Sequence, residues 1–271
     1  MMNDRTQGFW CPHTSTIDWC ELNYAVTSYV AEFFNSTSAL LFFGITMYLW
    51  IDAAYVRKHQ FRLPGRYLWN YGWLALVALG SALFHATLNY EMQLLDELPM
   101  LYGMAQGFYC ALTKPSAGWA VGLIVVDAAF TLYYLYVRDA FWHELMFALS
   151  VAMLVLAYLL QAHKLWRTGR PVQKTGAKRA VWTLAKGVTM VLVGLAFWLW
   201  ENGHCGVLTE YKSFLGMPAA LALEFHALWH LLSYAGVLYL QTGLIVLHLS
   251  SQGRPVSTFG PWIRFEAHKR E

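Results

Sequence analysis

Two histidines in the run H-A-L-W-H, His226 and His230, stand four residues apart. On a helix that spacing stacks both imidazoles on one face, one turn apart. Both can then reach a zinc ion at about 2.0–2.1 Å. His85, far upstream, is a candidate third ligand. Three protein ligands leave a tetrahedral zinc with an open position for water, which is the catalytic arrangement. The plainer alternative is a pair of interfacial histidines packing beside Trp229. Asp96 is a candidate base or water-orienting group, because zinc lowers the pKa of its water towards about 7 and a carboxylate can take the proton. Followed by Glu97, Leu98 and Pro99, it equally suits a helix N-cap. Ser81 precedes His85 by four residues and shares its face. It could donate to an oxyanion, or simply be a small residue at a helix contact.

A second group is acidic. Asp18, Glu21, Asn23 and Glu32 offer hard oxygen atoms of the kind Ca²⁺ collects, about six to eight at a time. The spacing is not that of an EF-hand, and a solvated acidic turn is the alternative. Glu32 weighs against that alternative, since a carboxylate within an apolar segment needs a partner. Of the four cysteines, Cys110 falls inside an apolar segment. A Cys20–Cys205 bridge would tie the N-terminal loop to a distant helix, with Cys11 as a rival partner; spacing alone does not decide connectivity.

The elements that must position these groups are membrane helices. The chain of 271 residues is 58% hydrophobic, 17% aromatic and 13% charged, against about 25% charged in soluble domains. A span needs about 20 apolar residues, and seven segments qualify: 25–51, 67–88, 98–112, 117–136, 141–162, 180–200 and 218–247. The expected fold is therefore an all-α, seven-transmembrane-helix bundle. Residues 1–24 form an N-terminal segment with the acidic loop, 25–247 the catalytic bundle, and 248–271 a basic tail. Residues 1–24 lack the apolar core of a secretory signal. Arg5, Arg138 and Lys212 fall on one side of the membrane and, apart from Lys186 within a segment, every other Lys and Arg on the opposite side. The positive-inside rule makes that second side cytosolic, with the N-terminus lumenal and the C-terminus cytosolic. Glu32, Asn35, Ser81, His85, Asp96, Glu97, Glu224, His226 and His230 then share one depth near the lumenal side. Ionisable groups in spans are costly, so their convergence points to one site. No basic stripe interleaved with aromatics points to nucleic acid.

Three blocks resemble the alkaline ceramidase family: S-T-I-D-W-C-E-L-N-Y (15–24) with A-E-F-F-N (31–35), F-H-A-T-L-N-Y-E-M-Q-L-L-D-E-L-P-M (84–100), and F-H-A-L-W-H (225–230). They occur in family order and span nearly the whole chain from first to last. The family sits in a wider group of seven-span metal hydrolases with the adiponectin-receptor-like proteins. The resemblance implies a zinc site of His85, His226 and His230, with Asp96 and Ser81 as catalytic neighbours. It also implies a calcium site of Asp18, Trp19 (through its carbonyl), Glu21, Asn23 and Glu32, and a Cys20–Cys205 disulfide. The implied reaction is hydrolysis of ceramide, drawn sideways from the bilayer, to a sphingoid base and a fatty acid, in endoplasmic reticulum or Golgi membranes. Cys11, His13 and the Glu of W-E-N (200–202) depart from the family pattern.

On this reading calcium braces the N-terminal loop, and Glu32→Ala should weaken calcium dependence while leaving zinc near normal. Two other classes are available: a seven-span receptor or sensor with a closed, structural zinc shell, and a proton-coupled transporter with carboxylate relays. Clustering at one membrane face rather than mid-membrane counts against the transporter.

Overall fold

The computed structural model describes residues 8–59, 63–254, 256–259 and 262–264. Arg5, Arg62, Lys269 and Arg270 of the charge pattern, and the ends of both terminal segments, lie outside these residues. The described chain is mostly helical, with a non-helical segment over residues 8–32 and one short hairpin after the last helix. Its helices are α1 (Phe33–His59), α2 (Arg66–Thr87), α3 (Tyr90–Ala111), α4 (Ala117–Val137), α5 (Ala140–Thr168), α6 (Pro171–Leu215) and α7 (Phe225–Ser251). Two three-residue strands, β1 (Ser257–Phe259) and β2 (Trp262–Arg264), pair antiparallel after α7. Six helices, all but α3, are long and apolar enough to cross a membrane. Helix is the expected state there, because a lipid-facing backbone must satisfy its own donors and acceptors.

Several boundaries differ from the hydropathy reading, each for a local reason. α1 starts at Phe33, so Glu32 precedes the helix instead of lying within it. α3 starts at Tyr90, with Asn89 at its N-cap, so Asp96 and Glu97 sit inside the helix. The N-cap alternative for Asp96 therefore fails. Hydropathy placed the start too late because residues 90–97 are mostly polar. α6 runs well past the apolar stretch at both ends and breaks at His204, whose φ is −133°.

α7 is the central element: 67% of its most apolar window is buried, against 6% for α4, which faces outward. α6 packs most extensively on α7, and α2 on α3 and α1. Glycines permit the close approaches. A Cβ on Gly236 would lie 2.7 Å from the Gly187 carbonyl, so α6 and α7 touch backbone to backbone. A Cβ on Gly80 would run into the Leu95 carbonyl. That contact brings α2 against α3 one residue away from Ser81 and Asp96, and it fixes their separation.

Candidate metal centre and lipid cavity

The end of α2 illustrates how local sequence builds the site. The last carbonyls of a helix lack intrahelical donors. α2 stops at Leu88, which takes the left-handed conformation (φ 49°) and donates its N–H to Phe84 O. The N-terminal segment then supplies donors to the freed carbonyls. Ala31 N–H reaches Ala86 O and Glu32 N–H reaches His85 O, each at 2.9 Å. This pairing lays the Glu32 side chain beside the His85 ring. Its Oε2 lies 2.5 Å from His85 Nδ1, and both side chains are almost fully buried.

Across from it, α7 opens at Glu224, so His226 and His230 fall in its first turns. The nitrogens of His85, His226 and His230 all lie within 4.8 Å of one another, and all three residues are buried. Their outer contacts orient them. Glu32 holds His85, and Ser38 of α1 lies 2.9 Å from His230 Nδ1. His230 Nε2 faces Ser81 Oγ at 3.4 Å. The Trp19 ring stacks on His226 at 4.0 Å between centroids. His226 Nδ1 is buried without a partner, an orphan that buried polar groups rarely tolerate. Three buried imidazoles with converging nitrogens, two of them held by outer hydrogen bonds, fit a zinc ion with its orienting partners. Among the described residues no fourth His, Cys, Asp or Glu joins this group.

Asp96 lies beside Ser81 and lines the same cavity as the histidines. Glu97, its neighbour, also lines the cavity, but its carboxylate is already engaged. It accepts from Tyr134 Oη at 2.5 Å and from Gln93 Nε2 at 3.0 Å, tying α3 to α4. The cavity has a volume of about 490 Å³ and runs among α2, α3, α5, α6 and α7. That is within the range of small-molecule pockets. Tyr234, one turn beyond His230, also lines it; its ring stacks on Phe42 and its hydroxyl is buried without a partner.

The acidic group lies alongside. Asp18 and Glu32 are close enough for their carboxyls to interact, Asn23 Nδ2 donates to Asp18 Oδ1 at 3.3 Å, and Asn23 Oδ1 is buried without a partner. Two adjacent carboxylates and an unpaired amide oxygen are a donor set that suits a hard cation. Glu21 is differently engaged: its two oxygens accept from the Phe34 and Asn35 amides at 2.6 and 2.8 Å. It satisfies the free donors at the start of α1. Burial pushes its carboxyl up to about 8 despite those amides.

Cys20 and Cys205 are at bonding distance, with Cα atoms 5.4 Å apart. The rival, Cys11, instead lies near His13 and Tyr24. Lys212 reinforces this seam: its ammonium pairs with Glu224 at 2.7 Å and donates to Cys20 O at 3.4 Å.

Ser38, Tyr234 and the ring of Trp19 escaped the sequence reading. Ser38 had a faint signal, since Glu32, Asn35 and Ser38 recur every three residues. Trp19 was assigned only through its carbonyl, and no spacing rule foretells a ring stacking across to α7.

Residues 11–266 match the model of the family described as ceramidase. The chain belongs to the ceramidase family. It is 31% identical to alkaline ceramidase 3 of Mus musculus over 97% of each chain. It is 31% identical to an alkaline ceramidase of Saccharomyces cerevisiae, covering 86% of this chain and 76% of that one. The alkaline ceramidase of Arabidopsis thaliana is 29% identical, over 84% and 82%. The chain is thus a membrane-embedded, ceramide-hydrolysing enzyme, and its buried histidine cluster and apolar cavity are where that chemistry is to be sought.

Proposed function

We propose that the enzyme is a zinc-dependent intramembrane amidase that cleaves ceramide to a sphingoid base and a free fatty acid. The observation that carries this reading is the meeting of His85, His226 and His230 at the head of an apolar cavity that also holds Asp96 and Ser81. Zinc bound by the three rings would polarise the amide carbonyl and acidify a water molecule. Asp96 accepts the proton of the attacking water and later delivers it to the leaving amine. Ser81 donates to the oxyanion of the tetrahedral intermediate. Glu32 and Ser38 hold the rings of His85 and His230 in the tautomer that turns Nε2 inwards. Trp19 and the apolar walls keep bulk water out. Ceramide enters from the bilayer, so its chains never leave an apolar environment.

The wider architecture belongs to the same proposal: seven spans, the site towards the lumen, the N-terminus lumenal and the C-terminus cytosolic, in endoplasmic reticulum or Golgi membranes. α3, too polar to count as a span by composition, is the seventh, because Asp96 and Glu97, the charges away from its first turn, face the site and α4. The deciding assay is release of sphingoid base from ceramide by the purified protein in detergent, with and without chelator. Turnover that is lost with chelator and restored by zinc supports the reading. A chelator-stripped protein that keeps full activity refutes it. The receptor reading with a structural zinc requires a fourth protein ligand, and the three-histidine group argues against it.

Calcium would be held by Asp18, Glu32, Asn23 and the Trp19 carbonyl, with Glu21 shaping the loop from the head of α1. Glu32 reaches both the acidic group and His85, so the two proposed sites would share it. Glu32→Gln is therefore expected to weaken zinc affinity by about 10–100-fold, the usual effect of losing a ligand's outer partner, as well as blunting the calcium response. Zinc competition against a graded chelator measures the first effect. Unchanged zinc affinity with a lost calcium response would separate the sites.

The Cys20–Cys205 bridge would close a loop of sequence separation 185. Its removal in Cys20→Ser/Cys205→Ser should cost about 2–5 kcal/mol of stability, read as a lower thermal midpoint. The wild type should fall to the same midpoint in reductant; a double variant as stable as wild type would show that the cysteines do no bracing.

A further inference from the structure

The cavity has a floor as well as a head, and two amide side chains lie there beside Gly107, Leu154 and Leu244. Asn70 of α2 and Gln241 of α7 both line it. Asn70 Nδ2 donates to Gln241 Oε1 at 2.5 Å, and Gln241 Nε2 donates to Tyr67 O at 2.6 Å. Gln241 is buried, and Asn70 Oδ1 is buried without a partner.

The register of the helices relates this floor to the head. Asn70 lies eleven residues before Ser81 on α2, and Gln241 eleven residues after His230 on α7. Eleven residues is close to three full turns, so in each helix the floor residue shares a face with the residue at the head. On α3 and α5 the same interval leads from Asp96 to Gly107 and from His143 to Leu154, which also line the cavity. At 1.5 Å per residue, head and floor are about 16 Å apart. That is about half the ~30 Å hydrocarbon core, the depth of one leaflet's chains.

We propose that the Asn70–Gln241 pair is a length-setting floor that limits how long a hydrocarbon chain of the bound lipid the cavity accepts. The inference rests on the cavity being the ceramide site. A chain of matching length lies between apolar walls with its terminal methyl against the two amides. A longer chain must part their hydrogen bond in an environment that offers no replacement, which is unfavourable for both amides. A shorter chain leaves apolar wall uncovered. The same pair also ties α2 to α7, so the test needs variants with opposite expected signs.

Purified wild type, Asn70→Ala/Gln241→Ala and Asn70→Leu/Gln241→Phe are assayed in detergent. One ceramide series varies the N-acyl chain at a fixed sphingoid base, and a second varies the base at a fixed acyl chain. The alanine pair removes both amides and deepens the cavity. It is expected to shift the optimum of kcat/KM to longer chains in one of the series, with a gain of about four-fold for each additional methylene buried. The leucine–phenylalanine pair fills the floor and should shift the optimum in that series to shorter chains. The series that responds identifies whether the acyl or the sphingoid chain reaches the floor. Should one variant fail to fold, the other still tests the inference by its sign. Unchanged optima in both series, or a common loss at every length, would overturn it. A wild type that hydrolyses no ceramide at all defeats the proposed function instead, so the two failures are distinguishable.

Discussion

Replacing His230 by alanine is expected to remove bound zinc and to reduce ceramide hydrolysis to background. His230 is the only member of the triad in contact with both the Ser38 and the Ser81 hydroxyls, so its loss opens the region between α1, α2 and α7 and, on the proposed mechanism, also removes a zinc ligand. Two remaining imidazoles cannot complete the three-ligand set of a catalytic zinc. The loss should be on the order of 10³-fold or more in kcat/KM, because carbonyl polarisation and water activation fail together. Metal content by mass spectrometry and sphingoid base release are the two readouts. A large-to-small change at a buried site also costs stability, so the thermal midpoint is followed in parallel. His230→Gln, closer in volume, guards against a merely unfolded protein. Full activity in a zinc-free, folded variant would remove the basis of the metal mechanism.

What the sequence revealed about this site depended on the kind of signal each residue carried. His226 and His230 were legible because a spacing of four has one geometric meaning on a helix. His85 was legible only through its depth in the membrane and the family resemblance, since no spacing rule joins α2 to α7. Glu32 was recognised as an anomaly, but its setting was misread. Hydropathy smooths over about 20 residues and places it in a span, whereas it belongs to the extended segment that satisfies the carbonyls at the end of α2. That detail carries the physics, because the pairing of Glu32 N–H with His85 O delivers its carboxylate to the His85 ring. A site that reads as two metal clusters in the sequence is one connected network in space. α3 shows the converse. Its polar opening delayed the expected start, yet those same polar residues mark it as the helix that carries Asp96 into the cavity and Glu97 towards Tyr134. The Asn70–Gln241 floor was invisible in the sequence because neither residue is ionisable and the interval linking each to the site becomes meaningful only once α2 and α7 are known to face one another.

Asp96→Asn should separate metal binding from proton transfer. The substitution keeps size and the ability to pair with Ser81 but removes the base. Asp96 stands outside the group of mutually close ligand atoms, so zinc content is expected to stay near that of the wild type. kcat should nevertheless fall by about 10²–10⁴-fold, the usual contribution of a positioned general base, while KM for ceramide changes little because the side chain keeps its size and the apolar walls are untouched. Ser81→Ala makes the companion measurement. If Ser81 stabilises the oxyanion, its loss should cost about 10²–10³-fold in kcat with Asp96 intact. The double variant should cost less than the product of the two single effects, because adjacent groups serving one transition state are not independent. Loss of zinc in Asp96→Asn would make Asp96 a ligand and favour a closed, structural metal shell. Retention of zinc with collapse of kcat is the outcome that a three-histidine site with a separate base requires.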